Sequence, residues 1–455
     1  MARLHRWLGT GLASLLAGPL AAQSLWLPAS DPVGIARSGT GVAFGQSLEA
    51  CTLNPALLVT LRDASSAYVG LGMDMASAQD TLQSTQRNLF TGERNRALPS
   101  FGGAWRASDR LSFGIKFDEP FLRHGEVSGE STIRFLGRSI DLKAERLEFQ
   151  GAWAFRPAFS VGVGLGLARI SYDFSADYRA PVLEDPALPA SATNSTLALA
   201  EVRAQQSGKV TVPSYSAGFR WAINPRWTLA GTYQAALKGD LSLQANRGAG
   251  EARFVGPTGY GIPAQGTEMT AREAATVAGL SFQPGSRRIA LPGKAALGLR
   301  HRVNPFFTWE LDVHHIQGSG MELPSSPTMT TPSGTIGTQL PTGFRSGYGV
   351  SAMGEVSVGR SWTVRAGACF EPALQDDGNV NPLLSGARSA AFSIGVGYRI
   401  WGGELNAGYQ FRQNLDIDSY ALEGAWGSSG YRTVGTKTRI EGMGHLWSIG
   451  FKRSF

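Results

Sequence analysis

Residues 159–167, FSVGVGLGL, alternate without interruption between a large apolar residue and a serine or glycine. Successive side chains of a β-strand point to opposite faces, so a period of two places every large side chain on one face. The opposite face carries nothing larger than serine. The stretch predicts a β-strand with one continuous apolar face and one face of small residues.

The same alternation recurs in four other segments of the chain. They start at Leu111, Trp309, Phe392 and Leu405, and each places apolar residues at every second position. Strands of a membrane-spanning barrel show this pattern because one face contacts lipid and the other lines the lumen. A soluble β-sandwich shows the same alternation, so the pattern alone leaves both architectures open.

The lengths of the connections distinguish these two architectures. Short turns are predicted at Ser108-Asp109, Arg156-Pro157, Asn224-Pro225, Asn304-Pro305, Gly359-Arg360 and Gly402-Gly403. Long polar connections alternate with them, at residues 76–97, 119–142, 179–207, 247–287, 318–341, 372–387 and 418–442. Outer-membrane barrels sort their connections in this way, with short turns in the periplasm and long loops outside the cell. The predicted fold class is all-β: a transmembrane antiparallel β-barrel of about 14 strands with an N-terminal plug in its lumen.

Composition agrees with an all-β chain. The 455 residues include 58 glycines, 10% are aromatic, and 17% are charged. The mean hydropathy is −0.10. No apolar run after residue 22 reaches the roughly 20 residues that a membrane-spanning helix needs. We therefore exclude a helical membrane protein.

The first 22 residues are predicted to be a secretory signal peptide. Arg3 and Arg6 precede an apolar run that ends at Ala21 and Ala22. A retained N-terminal anchor is the alternative, but the run is short for a spanning helix. We predict three units: a signal peptide at 1–22, a plug, or hatch, at 23–64, and the barrel at 65–455.

The predicted plug lacks the alternation of the strands that follow it. It is rich in glycine, alanine and proline, and it contains apolar residues that need burial: Phe44, Leu48, Leu53, Leu57 and Leu58. A barrel of about 14 strands has a wide lumen, and this segment is the natural occupant. A disordered periplasmic tail is the alternative.

Charge and side-chain spacing argue against several functions. The net charge is +7, but basic residues are scattered singly rather than in blocks, so nucleic-acid binding is not expected. Cys51 and Cys369 lack metal-ligand spacing, and His314 and His315 face opposite sides of a strand. No Ser/His/Asp set follows from spacing. We predict no metal, no cofactor and no enzymatic activity.

Aromatic residues recur just after the short turns. Trp227, Phe306 and Trp362 occupy such positions. An aromatic girdle is expected there, at the inner interface of the outer membrane. The alternative for each of these residues, taken singly, is that its side chain packs in the protein core. The last residues also share one face, and they resemble a terminal strand signal for the barrel assembly machinery: Trp447, Ile449, Phe451 and Phe455.

A set of short motifs recurs in order along most of the chain. It comprises Gly39, Gly41 and Ala43, then Asn54-Pro55-Ala56, then residues 218–227, 291–300, 362–367 and 395–398. In these motifs the chain resembles the FadL family of outer-membrane channels for long-chain fatty acids and aromatic hydrocarbons. One departure is Asn381-Pro382-Leu383-Leu384 before Arg388, where the family commonly has a Pro-Asp element.

The resemblance implies passive uptake of a hydrophobic molecule that is captured among the extracellular loops. A hatch is then expected to rearrange and let the molecule pass, in known members through a lateral opening in the wall. The residues that match the hatch are Gly39, Gly41, Asn54, Pro55 and Ala56. The expected surroundings are outer-membrane lipid, lipopolysaccharide and the barrel assembly machinery, and the expected state is a monomer.

Three basic residues are candidates for binding the carboxylate of a fatty acid. By alternation Lys116, Arg365 and Arg412 point into the lumen, where a charge is costly unless it is paired or hydrated. The alternative is that they pair with acids on the same face. Candidate partners are Glu310, Asp312 and Glu404.

The two cysteines are predicted to lie near each other in the lumen. Cys369 faces inward by alternation, and Cys51 belongs to the plug. A disulfide between them would tie the plug to the wall, because the periplasm is oxidising. Two free, buried cysteines are the alternative.

Three other functions stay open at this point: a general porin, an outer-membrane enzyme, and a scaffold barrel of a secretion or assembly machine. A porin would lack a plug and conduct ions freely, so the plug-like segment favours a channel for hydrophobic solutes. Periodicity does not decide whether residues 196–206 form helix or strand. It also does not decide whether residues 247–287 cover the barrel mouth or enter it.

Overall fold

The computed structural model describes residues 27, 29–44, 48, 52–61, 63–82, 87–126, 137–182, 198–248, 253–255, 280–331, 334–337, 343–375, 383, 386, 388–414, 417–419 and 438–455. The predicted signal peptide and Cys51 lie outside these residues.

Fourteen antiparallel strands form one closed barrel. Numbered β1 to β14 in chain order, they are Ser65–Leu82, Arg87–Arg106, Leu111–Glu126, Ser139–Arg156, Phe159–Val182, Ala198–Ala222, Trp227–Gln234, Lys294–Arg302, Phe307–Ile316, Gly347–Val358, Trp362–Glu371, Ser389–Ile400, Gly403–Asn414 and Thr438–Ser454. The first strand pairs with the last, from Ser66 opposite Ser454 to Leu82 opposite Thr438. The predicted fold class is confirmed, and a two-sheet sandwich is wrong.

Shorter elements accompany the barrel strands. The described helical segments are an α-helix, α1, at Pro32–Ala36 and 3-10 helices at Pro55–Thr60 and Gly318–Gly320. Three short strands extend the barrel sheet: Gln244–Arg247 and Arg253–Val255 pair with β6, and Ile417–Ser419 pairs with β14. The short strands that pair outside the barrel sheet are Leu237–Asp240 with Arg288–Leu291, and Thr328–Thr331 with Ser281–Gln283 and Gly334–Gly337. No helix among the described residues is long and apolar enough to cross a membrane.

Side chains alternate between the two faces of the wall as the sequence predicts. In β5, Val163, Leu165 and Leu167 point away from the lumen and are 56–60% exposed. The intervening glycines face inward. The inward positions of other strands carry buried polar residues, among them Ser112, Glu148, Ser214, Asp312 and Gln410. The outer face is thus apolar and suited to lipid, and the inner face is polar or small.

The short turns and the long loops emerge at opposite ends of the barrel. All six predicted turns fall where one strand ends and the next begins, although Arg156 and Gly403 are themselves strand residues. We call this the short-turn end and the other the long-loop end. Because outer-membrane barrels keep their short turns in the periplasm, the long-loop end faces the outside of the cell.

The predicted loops were too wide, and this is a correction. Residues 76–97 were predicted as a loop, yet β1 continues to residue 82 and β2 starts at residue 87. The loops predicted at residues 119–142 and 179–207 are shorter than predicted for the same reason. The open question about residues 196–206 is answered for residues 198–206, which form a strand. The hydrogen-bond ladder extends beyond the membrane into water, where polar residues replace apolar ones. Polarity therefore marked where the membrane ends rather than where the strands end.

The lumen is divided into two regions. The half near the short-turn end holds most of the described part of residues 27–61, which we call the N-terminal segment. The half near the long-loop end holds the largest apolar cluster, which includes Ile140, Leu142, Ile170, Tyr172, Phe174, Tyr178, Leu237 and Ile289.

Aromatic side chains surround the short-turn end on the outside. Phe306 is 61% exposed and Trp362 is 49% exposed. Trp227 is half-buried because its ring stacks on His301, with 4.0 Å between ring centroids. These positions fit the predicted girdle at the inner interface.

Substitution of an outward residue tests the position of the membrane. We expect Leu165→Arg to cost about 2–4 kcal/mol of unfolding free energy because it places a charge in the hydrocarbon core. Leu405→Arg, near the short-turn end, should cost only about 0–1 kcal/mol. Urea unfolding in lipid vesicles measures both. Equal costs at the two depths would contradict this placement.

Candidate functional site

The N-terminal segment starts its described course with helix α1. Asp31 caps the helix, because its Oδ1 accepts a hydrogen bond from the Gly34 backbone N–H at 2.7 Å. The chain then reverses at Ser38 and Gly39, whose φ angles are 53° and 74°. This left-handed conformation is easy for glycine and unfavourable for most other residues. The reversal directs the following residues to the wall formed by β9.

Two buried acids of β9 hold the backbone of the N-terminal segment. Asp312 Oδ2 accepts hydrogen bonds from the N–H groups of Gly41 at 2.9 Å and Val42 at 3.2 Å. Glu310 Oε1 accepts one from the Ala43 N–H at 2.7 Å. Of the acids named as possible partners of the lumen cations, Glu404 pairs with Arg365 at 2.9 Å, whereas Glu310 and Asp312 have a different role. They bind backbone N–H groups that the irregular segment cannot satisfy within itself.

Asn54 connects three parts of the protein through one side chain. Its Nδ2 donates to the carbonyl oxygens of Val42, at 2.9 Å, and of Phe219 in β6, at 3.2 Å. Its Oδ1 accepts from the Ala56 N–H at 3.0 Å and caps the following 3-10 helix. Pro55 is the first residue of that helix, where a missing N–H costs nothing. The Ala56 carbonyl accepts from Ser160 Oγ at 3.0 Å.

Inward-facing glycines make room for this segment against the wall. A Cβ atom on Gly162 would overlap the backbone of Ala56, and one on Gly218 would overlap the Asn54 carboxamide. Other wall glycines lie equally close to the segment: Gly367, Gly395 and Gly408. The face of small residues in the alternating strands is therefore the contact surface for residues 27–61.

A chain of alternating charges anchors the helical part of the segment near the short-turn end. Arg37 forms an ion pair with Glu355 at 2.5 Å. Arg365 bridges Glu355 at 2.8 Å and Glu404 at 2.9 Å, and Glu404 also lies 3.5 Å from Lys452. Each charge of this chain thus has an opposite neighbour, which compensates for the loss of water.

Phe44 is sandwiched between two guanidinium groups. The Cζ atom of Arg37 lies 4.0 Å from the centroid of its ring, and that of Arg300 lies 4.6 Å away. Phe44 is 2% exposed. The predicted burial of this apolar residue is confirmed, and cation–π attraction adds to the ion pair of Arg37.

All three candidate cations lie on the inner face. Lys116 Nζ donates to the Thr52 carbonyl at 2.6 Å and lies 3.5 Å from Glu148. Arg412 donates to Gln410 at 3.2 Å. Arg365 pairs with Glu404, as the alternative reading stated. A role of these residues in binding a ligand stays a prediction.

Cys369 is buried on the inner face of β11 and has no disulfide with a described residue. Cys51 lies outside the described residues. The disulfide between them stays a prediction.

The ladder of backbone pairs in the wall is interrupted between β2 and β3. Among the described residues these strands pair only from Phe101 opposite Phe117 to Arg106 opposite Ser112. Beyond that point β3 contains a bulge between Asp118 and Phe121, whereas its pairing with β4 continues. We call the unpaired stretch, residues 94–100 of β2 and 118–126 of β3, the lateral gap.

The N-terminal segment fills the lateral gap. The Leu27 N–H donates to the Pro120 carbonyl in the bulge at 3.0 Å. The Leu27 side chain packs with Leu98 of β2 and Leu122 of β3, and all three are buried. Sequence reasoning missed this feature. The available signal was the proline at position 120, because a proline inside a strand marks an edge or a bulge.

An ion pair closes the outer part of the lateral gap. Arg96 of β2 reaches past β3 and binds both carboxylate oxygens of Asp141 in β4, with one contact at 2.9 Å. Lys143 of β4 binds Glu119 of the bulge at 3.0 Å. The gap is therefore bounded by paired strands at one end and by charged pairs at the other.

A family comparison gives this arrangement its context. The family described as outer membrane protein transport protein (OMPP1/FadL/TodX) matches residues 15–455. The chain belongs to this family. The outer-membrane location predicted from the sequence is confirmed. The resemblance carried by the N-terminal motifs and strands is confirmed as well.

Solved structures of FadL-type proteins share the fold. A FadL homologue of Pseudomonas aeruginosa is 16% identical, with a TM-score of 0.66 over 96% of this chain and 100% of that chain. The Pseudomonas putida toluene transporter TodX is 14% identical, with a TM-score of 0.63 over 94% and 99%. The Ralstonia pickettii toluene transporter TbuX is 15% identical, with a TM-score of 0.58 over 94% and 99%. No curated sequence matches the chain.

Removal of one acid tests how the N-terminal segment is held. In Asp312→Ala, two buried backbone N–H groups lose their acceptor, which costs about 1–3 kcal/mol. We expect more frequent ion-conducting openings in planar bilayers. Ser351→Ala, at the residue opposite Asp312 in the ladder, is the matched control and should leave conductance unchanged. Identical traces for both variants would contradict the anchoring role.

Glycine substitutions test the close contact with Asn54. Gly218→Ala forces the Asn54 carboxamide to move and should destabilise the protein by about 1–3 kcal/mol. Gly151→Ala is the control, because its added methyl group meets only the Phe113 ring, at 3.8 Å. Chemical unfolding and limited proteolysis of the N-terminal segment measure the difference. Equal behaviour of the two variants would show that the segment does not press on the wall.

Proposed function

We propose that this protein is an outer-membrane channel for passive uptake of hydrophobic compounds, long-chain fatty acids or hydrocarbons. Its membership of a family of outer-membrane transport proteins supports this proposal. Two of the structural relatives are described as toluene transporters. The observation that carries the proposal is the lateral gap, filled by the N-terminal segment, beside an apolar lumen.

The half of the lumen near the long-loop end suits the entry of an apolar molecule. Its cluster is built from aliphatic and aromatic side chains of five barrel strands and several loops. Tyr178 crosses this region and donates a hydrogen bond to the Pro327 carbonyl. An apolar ligand gains about 0.8 kcal/mol for each methylene group that it buries here. Entry requires side chains of this cluster to move apart.

The other half of the lumen is a poor route for the same molecule. It holds the N-terminal segment and the charge chain from Arg37 to Lys452. An apolar ligand in that region would displace hydrogen-bonding partners of buried polar groups, and it has no group that can replace those hydrogen bonds. Straight passage to the short-turn end is therefore unfavourable.

The lateral gap offers a favourable exit. When Leu27 leaves the space between Leu98 and Leu122, an opening forms in the wall beside the membrane. The ligand then passes from an apolar lumen into lipid without crossing the charged region. An empty opening would leave backbone N–H and C=O groups of the gap facing lipid without hydrogen-bond partners. This cost explains why the N-terminal segment closes the gap when no ligand passes.

The observations favour this channel over the other three functions. A general porin keeps an open, water-filled lumen, whereas this lumen is filled at both ends. The family consists of transport proteins, so a catalytic role is not proposed. No described feature favours a scaffold barrel. Contact with lipopolysaccharide, assembly by the barrel machinery and a monomeric state stay predictions.

Deletion of Pro120 tests the exit route. It removes the extra residue of the bulge, so β3 can resume pairing with β2 and close the gap. We expect uptake of radiolabelled oleate or toluene by cells to fall at least about tenfold, since a blocked exit adds more than about 1.4 kcal/mol to the barrier. Pro120→Ala keeps the length of β3 and should retain uptake.

Heat-dependent gel mobility confirms that both variants are folded. Unchanged uptake after the deletion would reject the lateral exit. A large steady ion conductance of the unmodified protein would reject the channel for hydrophobic compounds in favour of a porin.

A further inference from the structure

Arginine occurs at every turn of the short-turn end. Within three residues of the six turns the chain has seven arginines and no lysine: Arg106, Arg110, Arg156, Arg226, Arg302, Arg360 and Arg399. The acids in the same windows are Asp109 and Glu404. Glu404 turns into the lumen, where Arg365 binds it at 2.9 Å. The rim at this end therefore has a strong excess of positive charge.

The excess is concentrated where two turns and the last strand meet. The Arg399 N–H donates to the Ser361 carbonyl at 2.9 Å, and its guanidinium contacts the Arg360 carbonyl at 3.4 Å. Arg453 lies opposite Gly403 at the start of β13. Arg360, Arg399 and Arg453 are all exposed. The nearby Glu404 does not neutralise them, because its oxygens face Arg365 and Lys452.

Trp401 projects from the centre of this cluster in an unusual conformation. Its φ is 50°, and the next residue, Gly402, has a φ of 70°. A two-residue hairpin turn with two positive φ angles favours Asn-Gly, and a bulky residue at its first position is strained. Trp401 is 82% exposed, the highest value among the large hydrophobic side chains that the structure describes. Packing within the protein does not explain this residue, so strain and exposure point to an external contact.

Neighbouring aromatic side chains identify the environment of the cluster. Trp362 is 49% exposed on the outer face, and Phe455 is 66% exposed, with Arg453 above its ring at 5.2 Å. Tryptophan and phenylalanine at the end of an apolar belt lie at the level of lipid headgroups. Arg453 shares the outward face with Phe455, and Arg360 lies in the turn next to Trp362, so both are within reach of the phosphates of the membrane leaflet at the short-turn end. Arg399 lies opposite the inward-facing Glu404 and reaches the rim beside them through its contact with the Arg360 carbonyl.

We propose that Arg360, Arg399 and Arg453, together with Trp401, form a binding site for the phosphate headgroup of an anionic phospholipid. Guanidinium groups bind phosphate oxygens through paired N–H donors, which favours arginine over lysine at such a site. The indole of Trp401 lies against the glycerol region and the first methylene groups. The lipid belongs to the leaflet on the periplasmic side and is not the transported compound. It fixes the depth of the barrel in the membrane.

Native mass spectrometry of the full-length protein in mild detergent tests the proposal. The protein is mixed with equal amounts of phosphatidylglycerol and phosphatidylcholine that carry the same acyl chains. We expect phosphatidylglycerol to be retained preferentially. The triple variant Arg360→Gln, Arg399→Gln, Arg453→Gln should lose about fivefold in retention for each arginine removed. The control, Arg106→Gln, Arg110→Gln, Arg156→Gln, removes the same charge elsewhere on the rim and should retain the lipid.

Trp401→Asn separates a structural role from a binding role. Asparagine suits the left-handed turn better than tryptophan, so the melting temperature should stay the same or rise. Retention of phosphatidylglycerol should nevertheless fall several-fold. A drop in melting temperature with unchanged lipid retention would assign Trp401 to the fold alone.

Two further results would overturn the site. Equal retention of both lipids by the unmodified protein would show that the cluster does not recognise an anionic headgroup. Equal loss in both triple variants would show only a diffuse attraction of the whole basic rim. Binding of soluble polyglutamate as tightly as phosphatidylglycerol would also reject a lipid site in favour of an acidic polypeptide.

Discussion

The closed ladder of backbone hydrogen bonds is the constraint on which this structure depends. Inside a membrane every N–H and C=O group needs a partner, so the wall must close on itself. β1 and β14 meet that requirement along their whole length. The lateral gap between β2 and β3 interrupts this ladder. Its occupation by the N-terminal segment distinguishes it as a candidate site.

The N-terminal segment compensates for the interruption. Leu27 offers its N–H to the bulge and its side chain to the apolar edges of the gap. The same segment is bound to other parts of the wall by Asp312 and Glu310 of β9 and by its own Asn54, which donates to the Phe219 carbonyl of β6. Movement of the segment at one contact is therefore coupled to the rest of the lumen. This connection gives a physical basis for gating by a ligand that enters from the long-loop end.

The distribution of polarity in the lumen supports a sideways path. The apolar cluster occupies the half that faces the outside of the cell, and the paired charges occupy the half that faces the periplasm. Charges that bind one another inside a protein contribute little net stability, but the removal of one partner is costly. The charge chain thus serves to position α1 and to make the periplasmic half unattractive to an apolar solute.

The barrel, its turns and the buried apolar residues of the N-terminal segment followed from the sequence, since side-chain periodicity and turn chemistry are local properties of the chain. Residues 159–167 and Asn304-Pro305 each carried their own signal. The lateral gap and the charge chain did not, although Pro120 gave a hint. Arg37 and Glu355 are separated by 318 positions, and Glu310 and Asp312 had no local sign that they bind backbone N–H groups. Closure of the barrel brings such residues together, and that is a consequence of the three-dimensional path of the chain.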